Sequence, residues 1–187
     1  MTDTDQRAAG IVLRPISTSA AEAVAAGRLP PDVRVASDYP TEFSVGIARN
    51  VGGGSPLGPY FLHRGEDDVV VGEIGGGFVR PGTVEIGYAL VRSAWGRGYA
   101  TAAVRALVEL ARRVPGIERI VAHTPLDRPA SGRVLEKAGF TFVGEFDDEH
   151  EGVRLRVRRW ELALDRDQEA NGDASSRGDP DDAPRIK

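Results

Sequence analysis

The hydrophobic pattern of the chain switches between the helical period and the alternation typical of strands. Apolar residues at helical spacing over residues 99–114 predict one long amphipathic helix. Shorter helical patterns occupy residues 19–27, 41–51 and 129–138. Strand patterns occupy residues 11–16, 60–63, 69–78, 83–91, 117–124, 140–146 and 153–164. The order β-α-α-β-β-β-α-β-α-β-β predicts a mixed sheet with inserted helices rather than a regular βαβ array.

The last two strand patterns flank an acidic segment at residues 147–151. We interpret this segment as a solvated hairpin turn, with attraction of a cationic amine as the alternative. In the final strand, Val153, Leu155 and Val157 alternate with Arg and are predicted to face the core.

Both ends of the chain lack a hydrophobic period. Residues 1–9 are mostly polar, and residues 166–187 contain one large apolar residue, Ile186. Such segments bury too little apolar surface to offset the entropy of ordering them. We therefore predict a disordered N-terminus over residues 1–9, one domain over residues 10–165, and a disordered acidic tail over residues 166–187.

Composition excludes several classes of function. The 187 residues carry 24 Lys and Arg against 28 Asp and Glu, a formal charge of -4, and contain no Cys. Without Cys there is no disulfide, thiolate metal ligand or Cys nucleophile. No apolar run approaches the roughly 18 residues of a membrane span, and no secretory signal is visible. We expect a cytoplasmic protein that binds no nucleic acid, no membrane and no metal.

The loop before the long helix has the composition of an anion site. Gly96 and Gly98 let the backbone approach a ligand closely, and Arg92 and Arg97 add cationic donors. The first N–H groups of the helix point outward and favour negative charge. The loop matches neither the P-loop nor the dinucleotide fingerprint. A phosphate or pyrophosphate site is predicted, with a plain strand-to-helix turn as the alternative.

The same stretch resembles a known family. The segment WGRGYA at residues 95–100 resembles the acetyl-CoA pyrophosphate loop of the GNAT superfamily of N-acetyltransferases, whose pattern is Q/R-x-x-G-x-G/A. Gly98 and Ala100 match its last two fixed positions, and Trp95 replaces Gln or Arg. In this replacement the sequence resembles the branch of the ribosomal-protein N-terminal (alanine) acetyltransferases, where the same variation is common.

A second motif at the expected separation supports the resemblance. The family has Asn-x-x-Ser at the start of its last helix and Glu-Lys-x-Gly-Phe at the end. Here these segments read RPAS at residues 128–131 and EKAGF at residues 136–140. The resemblance covers roughly residues 70–165.

The resemblance implies an α/β (α+β) GNAT-like fold, a central, mostly antiparallel twisted sheet splayed between strands 4 and 5 and flanked by helices. Acetyl-CoA is the implied cosubstrate. Its pantetheine arm would pair with the backbone of Leu90, Val91 and Arg92. Its pyrophosphate would lie on the backbone amides of residues 97–101: Arg97, Gly98, Tyr99, Ala100 and Thr101.

Acetyl transfer to an amine needs a group that accepts the ammonium proton. Glu85 is the first candidate, because strand alternation places it opposite the apolar Ile86 and the family often has an acid there. Glu73 on the neighbouring strand, His123 and a chain of water molecules are the alternatives. Each carboxylate could instead be a solvated strand residue.

The motif near the last helix departs from the family in two places. The family's Tyr, the acid for the leaving thiolate, is replaced by Leu135. Ser131, one helical turn earlier, is the hydroxyl predicted to contact the CoA sulfur or the thioester carbonyl. Arg128 replaces the family's Asn and has no acceptor for capping the helix. Either Asp127 makes the local hydrogen bonds, or Arg128 faces a phosphate or an acidic group of the substrate.

The sequence thus predicts an acetyl-CoA-dependent N-acetyltransferase that acts by direct attack in a ternary complex. The acceptor is a small-molecule amine or a protein N-terminus, and a homodimer stays open because dimers are frequent among similar proteins. The alternative is a non-catalytic CoA-binding regulatory module with the same fold, which the replaced Tyr and Asn motivate.

Overall fold

The computed structural model describes residues 6–8, 10–49, 51–52, 55–150 and 153–164. Its strands are β1 (Gln6–Ala8), β2 (Ile11–Pro15), β3 (Tyr60–Arg64), β4 (Val70–Arg80), β5 (Thr83–Leu90), β6 (Arg119–Pro125), β7 (Thr141–His150) and β8 (Val153–Ala163). They form one sheet in the order β1-β2-β3-β4-β5-β6-β8-β7. Every neighbouring pair is antiparallel except β5 and β6, which are parallel.

Helices cover the two faces of the sheet. They are α1 (Thr18–Ala25), α2 (Ser44–Ala48), α3 (Tyr99–Arg113) and α4 (Pro129–Lys137), with a short 3-10 turn at Arg92–Ala94. The amphipathic pattern of α3 buries its apolar stripe, including Val104, Leu107 and Ala111. Pro129 opens α4, where its missing N–H costs no helical hydrogen bond.

The parallel strands β5 and β6 separate after a short paired stretch. Their register pairs are Thr83–Arg119, Val84–Ile120 and Glu85–Val121. Beyond Glu85, β5 stays paired with β4 and β6 stays paired with β8, so a wedge opens between them. We call this opening the wedge. It confirms the predicted splay, because the fourth and fifth predicted strands are β5 and β6.

Alternation along the strands assigns residues to two faces. Ile86 and Trp160 are buried on the face covered by α4, where an added methyl at Gly132 would lie 2.7 Å from the Trp160 ring. Glu73 and Glu85 project from the opposite face. There α2 covers Glu73 but leaves Glu85 partly exposed.

The structure corrects two predicted boundaries in the N-terminal half. The expectation that residues 1–9 are disordered is wrong at Gln6–Ala8, which pair with residues 11–13 of β2 because an open edge of the sheet accepts them. Residues 1–5 and 9, like the predicted tail at residues 166–187, lie outside the described residues. The helix predicted at residues 41–51 is confined to Ser44–Ala48, and the Thr41 N–H before it donates to the Ser44 hydroxyl.

The final hairpin also differs from prediction. The acidic segment predicted as a turn continues β7 as far as His150, because Asp147 lies opposite Arg156 in the ladder and the opposite charges suit a cross-strand pair. Leu155, predicted to be a core residue, is 44% exposed, since no described element packs over this part of the hairpin. Val157, two residues later, is buried as predicted.

Candidate active site

The loop between β5 and α3 forms one border of the wedge. Gly96 and Gly98 have φ angles of 74° and 80°, in the left-handed region that disfavours side chains. Gly98 precedes α3, and no side chain caps that helix. The Ala102 N–H donates to the Gly98 carbonyl at 3.0 Å, so the N–H groups of residues 99–101 precede the first intrahelical bond. These groups form the positive end of the longest described helix.

Trp95 fastens this loop to the end of β5. Its indole N–H donates to the Leu90 carbonyl at 2.9 Å, and the Arg92 guanidinium lies 5.8 Å from its ring centre. The Val91 N–H donates to the Val71 carbonyl on β4. Because alternate residues point their polar backbone groups to opposite sides of a strand, the Leu90 carbonyl faces the wedge. Of the segment predicted to pair with pantetheine, Leu90 therefore presents its backbone there.

Glu85 and His123 meet where the wedge begins. The Nδ1 atom of His123 lies 2.8 Å from Oε1 of Glu85, with 22% and 39% of the two side chains exposed. The hydrogen bond to Glu85 raises the pKa of His123; burial opposes this rise, and Asp148 supports it. Two predicted base candidates thus form one pair, which joins β5 to β6.

Glu73, the other candidate carboxylate, lies elsewhere. It is 1% exposed, and the hydroxyl of Ser44 donates to its Oε1 at 2.5 Å. The Thr41 hydroxyl approaches Oε2 at 3.3 Å. Burial raises the pKa of this carboxyl. Glu73 therefore attaches the start of α2 to β4 and does not join the Glu85–His123 pair.

Arg128 spans the mouth of the wedge. Its guanidinium forms an ion pair with Glu42 and lies 5.3 Å from the centre of the Phe43 ring. Arg128 precedes α4, whereas Glu42 and Phe43 precede α2, so the contact connects the two sides of the opening. We call it the Arg128 bridge. Sequence reasoning missed Glu42 and Phe43, since nothing local marks them.

Ser131 lies in the first turn of α4, and its carbonyl accepts a hydrogen bond of 2.9 Å from the Tyr88 hydroxyl. Burial raises the pKa of Tyr88. Leu135, which replaces the family's Tyr, is fully buried. Sequence reasoning did not assign Tyr88 a role. Strand alternation could have identified it, because Tyr88 lies three residues after Glu85 and therefore on the opposite face of β5, which α4 covers.

The fold and the loop point to one family, and a comparison of the sequence with family profiles decides it. Residues 11–141 match the acetyltransferase (GNAT) domain. The chain belongs to this family. No curated protein matches the sequence.

Solved structures agree with the fold of this GNAT domain. An acetyltransferase of the GNAT family from Bacillus anthracis is 18% identical, with a TM-score of 0.64 over 86% of this chain and 98% of the other. RimL, a ribosomal L7/L12 alpha-N-protein acetyltransferase solved with coenzyme A, is 19% identical, with a TM-score of 0.61 over 83% and 94%. A spermidine N-acetyltransferase chimera from Vibrio cholerae and hSSAT is 12% identical, with a TM-score of 0.60 over 83% and 96%.

These findings confirm the family resemblance, the fold class and the acetyltransferase activity predicted from the sequence. The GNAT domain uses acetyl-CoA for N-acetyl transfer, and its α3 start suits that molecule: open space surrounds Gly96 and Gly98, and backbone N–H groups face outward. No helix in the described ranges is long and apolar enough to cross a membrane. Within the same ranges, no group of three or more His, Asp or Glu residues could hold a metal ion.

Proposed function

We propose that this enzyme acetylates an amine by direct attack in a ternary complex, with the Glu85–His123 pair accepting the ammonium proton. The observation that carries the proposal is the 2.8 Å contact of this pair where β5 and β6 separate. Acetyl-CoA supplies the thioester that the neutral amine attacks. The candidate acceptors are protein N-termini and small amines. RimL is named for the first kind of acceptor, and the spermidine acetyltransferase for the second.

The two residues of the pair have different tasks. Glu85 orients the imidazole through Nδ1, which leaves Nε2 to accept a proton directly or through water. The carboxylate then stabilises the imidazolium, which agrees with the raised pKa of His123. Glu85 as the direct base remains the alternative, and the two versions predict different behaviour when His123 is replaced.

Cosubstrate binding uses mainly backbone groups. The N–H groups of residues 99–101, with Arg97 and Arg92 nearby, would hold the pyrophosphate, and the Leu90 backbone would pair with pantetheine. Ser131 would donate its hydroxyl to the sulfur, with its backbone fixed by Tyr88. Arg128 would exchange Glu42 for a phosphate or an acidic group.

The test is the pH profile of acetyl transfer in three proteins: wild type, His123→Gln and Glu85→Gln. We expect His123→Gln to lower kcat by about a hundredfold, the low end of the effect of a general base. Glu85→Gln removes the contact that raises the pKa of His123. Since activity requires neutral His123, the rising limb of the kcat/KM profile should move to lower pH, with kcat reduced.

Each result distinguishes the candidates. A His123→Gln enzyme that keeps its kcat while Glu85→Gln does not would make Glu85 the base. Full activity in both variants would overturn the pair. Binding of acetyl-CoA without thiol release across a broad amine panel would favour the non-catalytic CoA module, against which the family match argues.

A further inference from the structure

The turn that ends β5 is held by a side chain from a distant segment. Asp38 precedes α2, and its carboxylate accepts hydrogen bonds from the Ser93 N–H at 2.9 Å and from the Ser93 hydroxyl at 2.7 Å. Ser93 is the middle residue of the 3-10 turn, whose first internal bond runs from the Ala94 N–H to the Val91 carbonyl. The Ser93 N–H therefore has no acceptor inside the turn, and Asp38 supplies one from 55 residues away.

This turn lies between the two backbone groups proposed to hold the cosubstrate. Leu90 precedes it and presents its carbonyl to the wedge, and the glycine loop begins three residues after Ser93, at Gly96. The indole N–H of Trp95 closes the turn from within, by its bond to the Leu90 carbonyl. Asp38 fixes the same turn from outside. A shift of the turn would therefore move the Leu90 backbone relative to the start of α3.

Residues 38–42 connect the two sides of the wedge, and we call them the strap. At one end Asp38 holds Ser93, beyond the end of β5. At the other end Glu42 pairs with Arg128, which lies between β6 and α4. Four residue intervals of extended chain span at most about 14 Å, so the strap limits how far its two anchors can separate.

Between its anchors the strap is packed onto the sheet. Tyr39 is 6% exposed, and its ring meets the Phe61 ring of β3 edge-on at 6.4 Å. The Thr41 hydroxyl donates to Oε2 of Glu73 on β4 at 3.3 Å. The carboxylate of Asp38 is thus presented to Ser93 by a supported backbone.

The charge of Asp38 by itself opposes its place beside an anion site. The Ser93 N–H and then the Ser93 hydroxyl lower the pKa of Asp38, so its carboxylate is ionised at neutral pH. A negative charge near the pyrophosphate loop repels the phosphates of CoA. If charge were its main influence, removal of Asp38 would tighten CoA binding, whereas loss of a positioning contact would weaken it. The two influences have opposite signs.

We propose that Asp38 is a positioning residue for acetyl-CoA, which acts through Ser93 to hold the Leu90 backbone and the glycine loop in the arrangement that binds the cosubstrate. This inference rests on the proposed placement of acetyl-CoA along Leu90 and the start of α3. Asp38 itself contacts neither the cosubstrate nor the reacting atoms. Its hydrogen bonds, rather than its charge, carry the effect.

Calorimetric titration with CoA tests this inference. Asp38→Ala should weaken CoA binding about tenfold, because the turn loses both bonds. Asp38→Asn should stay within about twofold of wild type, since its amide oxygen can accept from the Ser93 N–H and its amide N–H can donate to the Ser93 oxygen. Asp32→Ala is the matched control. It removes the same charge from the segment before α2, but its carboxylate accepts from Ser19 of α1, and its CoA affinity should be unchanged.

A double-mutant cycle identifies the partner of Asp38. Ser93→Ala removes the hydroxyl bond and keeps the N–H bond, so it should weaken CoA binding about threefold in the wild-type background. In the Asp38→Ala background it should have no further effect. Urea denaturation should give the same unfolding midpoint for Asp38→Ala and Asp32→Ala, which separates positioning from a loss of stability.

Three results would overturn the inference and leave the proposed function standing. They are unchanged or tighter CoA binding by Asp38→Ala, an Asp38→Asn variant as weak as Asp38→Ala, and strictly additive effects of the Asp38 and Ser93 substitutions. Gly98→Val distinguishes this failure from a failure of the proposed cosubstrate site. If that variant binds CoA as tightly as wild type, the placement of acetyl-CoA is wrong and the inference fails with it.

Discussion

The two borders of the wedge are built from different parts of the polypeptide. The border at the start of α3 uses backbone N–H groups and glycines with positive φ, all within residues 96–101. The border at Glu85 uses side chains from β5, β6, the hairpin and the segment before α2. In the proposed function, the first border holds the pyrophosphate of acetyl-CoA, whereas the second faces the acceptor amine.

This difference implies different sensitivities. Backbone donors persist when side chains change, so the α3 border should fail mainly through changes in φ or access. Side-chain groups can be replaced one at a time, so the opposite border can change its acceptor without loss of the fold. The following predictions test that contrast, beginning with the largest expected effect.

Gly98→Val should weaken CoA binding by about a hundredfold, which corresponds to roughly 2.7 kcal/mol. Valine is strained at a φ of 80°, and its side chain would occupy the approach to the N–H groups. Calorimetric titration with CoA measures the loss.

Gly116→Val is the matched control for this change. Gly116 has a φ of 89° and equally open surroundings, but it lies beyond the far end of α3. It should show the same strain with unchanged CoA affinity. Equal loss of affinity in both variants would mean that strain alone, rather than the anion site, explains the result.

Glu73→Ala should lower the free energy of unfolding by about 2 kcal/mol, because it leaves the Ser44 hydroxyl buried without its acceptor. Urea denaturation measures this loss. The KM for the acceptor should rise more than the KM for acetyl-CoA, since α2 covers part of the sheet face that carries Glu85, where we propose that the acceptor binds. A variant as stable as wild type would show that Glu73 does not hold α2.

Glu73→Gln separates charge from hydrogen bonding. Burial raises the folded-state pKa of Glu73 above its usual 4.5, so the associated stability is complete below pH 4.5 and is lost as pH rises through the folded pKa. Glutamine does not ionise. The variant should therefore gain stability relative to wild type as pH rises above 4.5. Urea denaturation of both proteins at several pH values measures this gain. A difference in unfolding free energy that does not change with pH would contradict the prediction.

Glu42→Gln should have the smallest effect. It releases Arg128 from an ion pair whose side chains are 40% and 59% exposed, so the cost in stability stays below about 1 kcal/mol. The freed guanidinium should lower the KM for acetyl-CoA about twofold at low salt and not at high salt. Glu109→Gln, which breaks the exposed pair with Arg112, is the control and should leave KM unchanged. A decrease in KM that is the same at low and high salt would contradict an electrostatic origin.

Much of the fold was predictable because local patterns carry it. The long helix at residues 99–113, the order of the seven main strands and the splay followed from period, turn residues and the family motif. The extent of β7 was not predictable, because the acids at residues 147–148 lie in the ladder opposite Arg156 and Leu155 on another strand. The exposure of Leu155 also depends on which elements cover the hairpin. The alternation of apolar and polar residues along β8 does not specify those elements.

The sequence by itself determined the glycine loop, the amphipathic α3 and the family, because each depends on residues that are close along the chain. Only the tertiary structure decided that Glu85 meets His123, that Glu73 lies buried beneath α2, and that Arg128 bridges to Glu42. Each of these contacts joins segments at least 29 residues apart. Such contacts form where the sheet separates and the helices dock, and no local spacing in the sequence specifies them.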